Sequence, residues 1–559
     1  MRKIANNPSL NLSQKLGLSQ KQPSSSLLSR CLSRCLPLAV GAAYGLILLM
    51  TGLAFYGLIG FDQARLQPEL LVDPYILQIL GFSLEQSILS ALFSVALALP
   101  IARALHFIPQ LQASKPAFLS LCLLSFVMPT LVLITGLVTL LGRSGVITPL
   151  LPDDWNLYGL NGILIAHIYL NTPLAVRVLS QQMSHIPDSS WRLAQQLGLS
   201  RWQQFTHVEW PALKPSLLML LGFIFVLCFN SFSVVLALGG GPGSTTLEVA
   251  IYQALKYDFN LSEALTLAWL QFTLAGLIFA LIARMGKLNW LSADTASQRL
   301  QPRLSTLSEW IHQTLYGLAW VILLLPILAL LPAVFDASIA KLNINSLISA
   351  AGYSLALGLI AALIAMTLAW LLLIPIRQAS LKRQENRRII YQWLATHSLV
   401  APAMVLSAGL YILLLPRIDL DRWGMVWLIL INSVLLLPFI IAQLKPRLLQ
   451  FDQQYSRLSE NLHLNFTQKI QVIWPFVRPI TLGSFALALL LALGDVAVFS
   501  IFGDSHYTTL PWLIYGYAGS YRMAEAAVAS LILLSLCALL VYLFERNTSA
   551  KNKRKSTHG

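Results

Sequence analysis

The sequence predicts an all-α polytopic membrane protein of about 12 transmembrane helices, arranged as two pseudo-symmetric six-helix halves. Three observations carry that prediction. Of 559 residues, 56% are hydrophobic and only 11% are charged, whereas a water-soluble domain has about 25% charged residues. Apolar stretches long enough to cross a bilayer core of roughly 30 Å recur along the whole chain. The chain also repeats itself at a separation of about 264 residues, far beyond the period of about 20–50 residues that marks a solenoid.

Each span follows from its own apolar run. The runs lie near 37–60, 78–105, 116–141, 160–180, 213–238, 263–285, 314–335, 349–376, 390–415, 424–444, 477–503 and 526–545. A helix needs about 20 residues to cross. Barrel strands would read as runs of about ten alternating residues, and no such runs occur. Residues 1–36, Ser-rich and basic, are expected as a cytoplasmic tail, followed by a first half over 37–285. Residues 286–313, polar and carrying Arg299, Pro302 and Arg303, read as a cytoplasmic linker. A second half over 314–545 and a basic cytoplasmic tail over 546–559 complete the chain. The first apolar run is a full span rather than the core of about 7–15 residues of a signal peptide, so no cleavage is expected.

The net charge of +15 would by itself admit a nucleic-acid partner. Its distribution points elsewhere. With the N-terminus inside, 31 of the 38 Lys and Arg fall on inner segments and only Arg65, Arg143, Lys256, Lys341, Arg417, Arg422 and Arg522 fall outside. That is the positive-inside bias of an inserted protein, so the expected partner is the lipid bilayer and not nucleic acid. The cysteines, Cys31, Cys35, Cys122, Cys228 and Cys537, sit in the tail or inside spans. Neither an extracytoplasmic disulfide nor a metal site is expected, and no cofactor.

The repeat is clearest in two long inner loops, 181–212 and 445–476. WRLAQQLGLSRWQQFTHVEWP (191–211) is answered by SRLSENLHLNFTQKIQVIWP (456–475). Leu193, Leu197 and Leu199 in the first, and Leu458, Leu462 and Leu464 in the second, have helical apolar spacing. Each loop ends in an aromatic-Pro pair, Trp210-Pro211 and Trp474-Pro475. Proline disfavours helix for the residue before it, so a short amphipathic helix is expected to stop there and a span to begin. One such helix is most simply an interfacial anchor. Two at matched positions favour a docking surface for a two-lobed partner, or for two copies of one. Elsewhere TTLEVAIYQALKY (245–257) is answered by TTLPWLIYGYAGSY (508–521), and Val127, Pro129 and Gly136 by Val400, Pro402 and Gly409.

These residues carry a family resemblance. The first loop resembles the signature E-A-A-x3-G-x9-I-x-L-P of binding-protein-dependent ABC-transporter permeases, here as Arg192-Leu193-Ala194, Gly198 and, with nine residues between, Val208-Glu209-Trp210-Pro211. Arg192 replaces the leading Glu. In the second copy His463 replaces the glycine, the residue freest to turn left-handed, and the run to Pro475 is one residue shorter. More specifically, 228–259 (CFNSFSVVLALGGGPGSTTLEVAIYQALKYDF) and 492–504 (ALGDVAVFSIFGD) resemble the fused thiamine/thiamine-pyrophosphate permeases of Gram-negative bacteria. The resemblance covers most of 37–545 and implies a type I ABC permease in the bacterial inner membrane, with both termini cytoplasmic. It implies two copies of a cytoplasmic ABC ATPase on the inner loops and a periplasmic thiamine-binding protein outside. The implied function is ATP-driven import of thiamine and its phosphates, with hydrolysis in the partner, so the chain itself is not an enzyme. The implied coupling residues are Arg192, Leu193, Ala194, Leu197, Gly198 and Pro211, with Leu458, Leu462, His463 and Pro475 in the second loop. A ferric-iron permease of the same architecture is the alternative, and an ion-coupled secondary carrier a further one.

Few other residues suggest chemistry. GGGPGSTT (239–246) lacks the Lys-Ser/Thr ending of a phosphate-binding loop and reads as a tight turn into a re-entrant or interfacial element. Asp495 lies at membrane depth, with Asn230 and Ser231 at the equivalent place of the first half. A carboxylate there either caps a helix break beside Gly494 or faces the translocation path, where it and aromatic faces would attract a thiazolium cation. Tyr252, Tyr257, Tyr515 and Tyr521 flank the outer end, as an interfacial belt or as part of that path. His167 and Asn171 share a helix face and read as interhelical hydrogen-bonding groups. No nucleophile–base pair suggests an enzyme such as a membrane transferase.

Overall fold

Every regular element in the computed structural model is helical among its described residues, 27–59, 65–284, 306–335, 343–399, 401–462, 466–504 and 507–556. In the first half these are α1 (Leu27–Gly57), α2 (Pro74–Phe107), α3 (Lys115–Val127), α4 (Thr130–Leu141), α5 (Leu160–Ser184), α6 (Asp188–Gln196), α7 (Arg201–Gln204), α8 (Trp210–Phe229), α9 (Phe232–Leu238), α10 (Leu247–Lys256) and α11 (Leu261–Arg284). The second half holds α12 (Thr306–Ala329), α13 (Ile344–Leu381), α14 (Glu385–Thr396), α15 (Ala403–Leu414), α16 (Leu420–Asn461), α17 (Phe466–Leu493), α18 (Ala497–Phe502), α19 (Leu510–Gly519) and α20 (Met523–Ser556). Most of the expected linker, 286–305, lies outside the described residues, as do Val400 and His463.

Ten of these helices are long and apolar enough to cross a membrane, and α3 with α4, bent by 100°, make an eleventh if counted as one span. Two of the apolar stretches bend at matched prolines. Pro129 breaks the third stretch, holding Met128 at ψ 132° and itself at ψ 130°. Pro402, at ψ 154°, divides the ninth into α14 and the short apolar α15. Proline offers no N–H and pushes the preceding residue toward extended backbone, which no side-chain hydropathy reveals.

The fifth and eleventh stretches are broken too, the eleventh beside Gly494, where a break is one of the two readings of Asp495. In the first half α8 ends at Phe229, Ser231 is extended (ψ 96°) and α9 follows. In the second, α17 ends at Leu493 and α18 begins at Ala497. Short helices α10 and α19 then lead to the final span of each half, and each receives the same cap. Ser83 Oγ of α2 accepts from Leu247 N at 3.1 Å, and Ser354 Oγ of α13 accepts from Leu510 N at 2.7 Å. That repeated bond is the internal symmetry expressed in geometry.

The halves exchange their first helices. Packing of α1 on α15 is so close that a Cβ on Gly57 would lie 1.9 Å from Gly409 O, and one on Gly409 would lie 2.2 Å from Ala54 O. Likewise α12 packs on α4, where a Cβ on Gly136 would fall 2.4 Å from Pro326 O. Only glycine lets backbones approach this far in a bilayer, where helix association rests on packing. The repeated glycines at 136 and 409 are thus explained by contacts between halves.

Candidate functional site

The first inner loop is built as a small bracket on the end of α2. Pro187 precedes α6, an amphipathic helix whose inward face is Trp191 and Ala194. Trp191, 1% exposed, meets Phe107 of α2 edge to face at 5.6 Å, and Ile186 joins this cluster. The opposite face turns outward, with Arg192 exposed, Leu193 at 56% and Leu197 at 66%. Gly198 ends α6 at φ +64°, the left-handed turn that glycine takes without strain, and Leu199 N returns to Ala194 O at 3.0 Å. Ser200 and Gln203 then form a capping box that starts α7.

The aromatic-Pro pairs do not stop a helix, contrary to expectation. In the first loop a π-helical turn over Phe205–Glu209 carries α7 into α8, giving continuous helix from Arg201 to Phe229. Pro211 follows that π-helical turn directly, at the second residue of α8. In the second, Pro475 lies inside α17, which starts earlier at Phe466. The second loop differs on its entry side as well. There α16 runs unbroken for 42 residues to Asn461, so Leu458 and Leu462, each 52% exposed, sit on the end of a span rather than on a separate helix.

Each loop is tied to its half by an ion pair that sequence reasoning missed. Arg103 of α2 binds Glu209 at 2.9 Å, and Arg377 of α13 binds Asp452 at 2.6 Å, both through paired guanidinium contacts. The arginines come from equivalent helices but hold different ends of the loops. Glu209 is at the exit of the first and Asp452 at the entrance of the second. Glu209 stands within the quoted HVEWP run, yet nothing local pairs it with a residue 106 positions away.

At membrane depth, Asp495 lies in the break between α17 and α18. Its Oδ1 accepts from Val498 N at 3.4 Å and its Oδ2 from Asn432 Nδ2 at 3.1 Å. It is therefore a helix cap fixed to α16, and it lines a pocket of only about 10 Å³ with Ser354 and Thr509, room for about one water. In the first half Asn230 Oδ1 accepts from Gln271 Nε2 at 3.4 Å, and Gln271 also bonds Glu248. Gln86 donates to Cys228 O at 3.1 Å beside them, while His167 meets Ser90 and Asn171 donates to His167 O at 2.9 Å. The structure thus gathers a polar cluster beside Asn230 whose acid, Glu248, has Pro511 in its place in the second half. Glu248 was the available signal, the one acid in the largely apolar run Leu247–Lys256.

Tyr252 and Tyr515, from opposite halves, come together at one cleft of about 460 Å³. Tyr252 meets Phe232 at 5.3 Å and Tyr257 at 5.7 Å, both edge to face. Asp495 does not line that cleft. Among the described residues, no group of His, Cys, Asp and Glu could hold a metal ion.

Broken spans repeated in two interlocked halves, each with an inner loop clamped to its bundle, define a membrane permease. Residues 87–286 match the model of the family described as "Binding-protein-dependent transport system inner membrane component". The chain is 33% identical over 536 residues to the "Thiamine transport system permease protein ThiP" of Brucella abortus (strain 2308), covering 92% of this chain and 96% of that one. With the protein of the same name from Haemophilus influenzae it shares 35% identity over 480 residues, 84% of this chain and 88% of the other. The "Ferric transport system permease protein FbpB" of Actinobacillus pleuropneumoniae is 29% identical over 238 residues, 38% of this chain and 33% of the other. The chain belongs to the binding-protein-dependent permease family and is a multi-pass component of an inner-membrane transport system.

Proposed function

We propose that this chain is the membrane-spanning subunit of an ATP-driven importer of thiamine and its phosphates. The observation that carries this reading is the reach of the likeness. Identity to the thiamine permease of Brucella abortus runs through both halves, whereas the likeness to the ferric permease covers 38% of the chain. ATP hydrolysis belongs to two copies of a separate cytoplasmic ATPase, one on each inner loop, and a periplasmic thiamine-binding protein delivers cargo to the opposite face. Both termini are cytoplasmic, in line with the basic inner segments.

The mechanism is alternating access driven from the loops. The exposed Leu193 and Leu197, and Leu458 and Leu462, offer apolar contacts to the ATPase. Movement of the first loop passes to α2 through Trp191–Phe107 and to α8 through Arg103–Glu209. The second passes movement to α13 through Arg377–Asp452. The broken spans are the compliant points at which such a tilt can open the outer side. A ligand shifts this balance only by binding one state better than the other, which is the role given to ATP and to the loaded binding protein.

Uptake of labelled thiamine and labelled ferric iron, with and without the chain, tests the reading. Loss of thiamine uptake alone is expected on deletion. Loss of iron uptake alone would move the cargo to the ferric class and keep the architecture.

A further inference from the structure

We propose that the outer cleft between the halves is a binding site of the permease itself for a flat, singly cationic aromatic heterocycle. This deepens the thiamine-import reading and rests on it, because thiamine presents such a group in its thiazolium ring. The cleft lies at the end of α8 and α9 away from the inner loops, since α8 alone spans 20 residues, a rise of about 30 Å. Its volume of about 460 Å³ falls within the range of roughly 300–1,000 Å³ that encloses small organic ligands.

The lining has the chemistry that a cationic ring needs. Tyr75, Tyr252, Tyr257 and Tyr515 supply aromatic surface, Asp258 supplies a negative charge and Gln253 a hydrogen-bonding amide. Cations bind to the faces of such rings, within about 6 Å of the centroid. The nearest basic side chain in sequence, Lys256, is turned elsewhere, with its Nζ 4.8 Å from the Tyr411 ring. It does not line the cleft. Gly240 and Gly241 also line the cleft, at φ +75° and +146°, backbone that glycine takes without strain.

The site is asymmetric although the fold is not. Tyr252 and Tyr515 are repeat mates, one from each half. Asp258, by contrast, has no acid at the matching end of the repeat, where Ala518, Gly519, Ser520 and Tyr521 stand. A site made by both halves but charged by one would hold a single cation in one orientation. Any movement of α10 against α19 would take the cleft apart, so occupancy and the outer opening are linked.

The test is equilibrium binding of labelled thiamine to the full chain in lipid nanodiscs, alongside uptake by cells that express it. Expected are saturable binding by the wild type and a loss of affinity of about two- to thirtyfold in Tyr252→Ala and in Asp258→Asn. Tyr252→Phe should rescue most of that loss, Tyr521→Ala should change nothing, and a neutral isostere of thiamine should compete poorly. Asp258 is exposed, so Asp258→Asn reads the site even if Tyr252→Ala fails to accumulate. No saturable binding, or equal affinity in Asp258→Asn, in a protein whose cells still import thiamine would overturn the cleft and leave the import reading intact. No thiamine uptake by the wild type would overturn both.

Discussion

At Gly198 the physics reduces to one dihedral angle. Its φ of +64° is left-handed, yet an added Cβ would meet nothing within 4 Å. Gly198→Ala is therefore expected to cost only conformational strain, about 1 kcal/mol in thermal unfolding, with uptake retained. Gly198→Pro adds a forbidden φ and removes the N–H that bonds Gln195 O at 3.0 Å. Expected is a protein that inserts and supports ATP hydrolysis but no longer couples it to uptake. The same outcome is expected for Leu197→Asp, and normal uptake by both variants would remove the coupling role. Asp495 is the second case. Asp495→Asn keeps an acceptor for Val498 N and a partner for Asn432, so stability should hold. Asp495→Leu leaves both donors unpaired at depth and should cost about 2–3 kcal/mol. A stable Asp495→Leu protein that fails in uptake would instead give the carboxylate a role in the path.

Between elements, the arginine clamps decide how rigidly a loop moves with its half. Both pairs are mostly out of water, with Glu209 at 4% and Asp452 at 7% side-chain exposure. Removing one partner strands the other, so Arg103→Ala and Arg377→Ala should each depress uptake more than they depress ATP hydrolysis. A double-mutant cycle of Arg103→Ala with Glu209→Gln should return a coupling energy of about 1–3 kcal/mol. A coupling near zero would make the pair incidental. This is also where sequence reading failed most plainly. The loops were found from their spacing and their repetition, but the residues that fasten them are far apart in the chain. The proline breaks were misjudged for a related reason. Trp210-Pro211 looked like a stop, and only the π-helical turn ahead of it shows how the helix carries on.

Across the whole molecule, the exchanged first helices make the halves interdependent. Gly136→Val and Gly409→Val would drive a side chain into a facing carbonyl and force α12 off α4, or α1 off α15. Loss of the protease-resistant membrane form is expected for both. Gly52→Val, on the same helix as Gly57 but with open space around it, should be tolerated. Equal behaviour of the three variants would mean that the close crossings contribute little.

Hydropathy, charge asymmetry and repetition are properties of residues taken in order. They were enough for an all-helical membrane fold in two halves, and they picked out Asp495, Tyr252 and Tyr515 as residues to follow. They could not say where a helix bends, because the backbone angles at Pro129, Ser231 and Pro402 depend on what surrounds each break. Nor could they show that Gly136 and Gly409 are repeated because the other half presses on them. The ion pairs, the polar cluster around Glu248 and the joining of Tyr252 with Tyr515 came only with the tertiary structure. Each depends on side chains brought together from separate elements, 23 residues apart for Gln271 with Glu248 and 106 for Arg103 with Glu209, and a bilayer, which supplies little hydrophobic drive between helices, leaves that choice to packing and to polar contact.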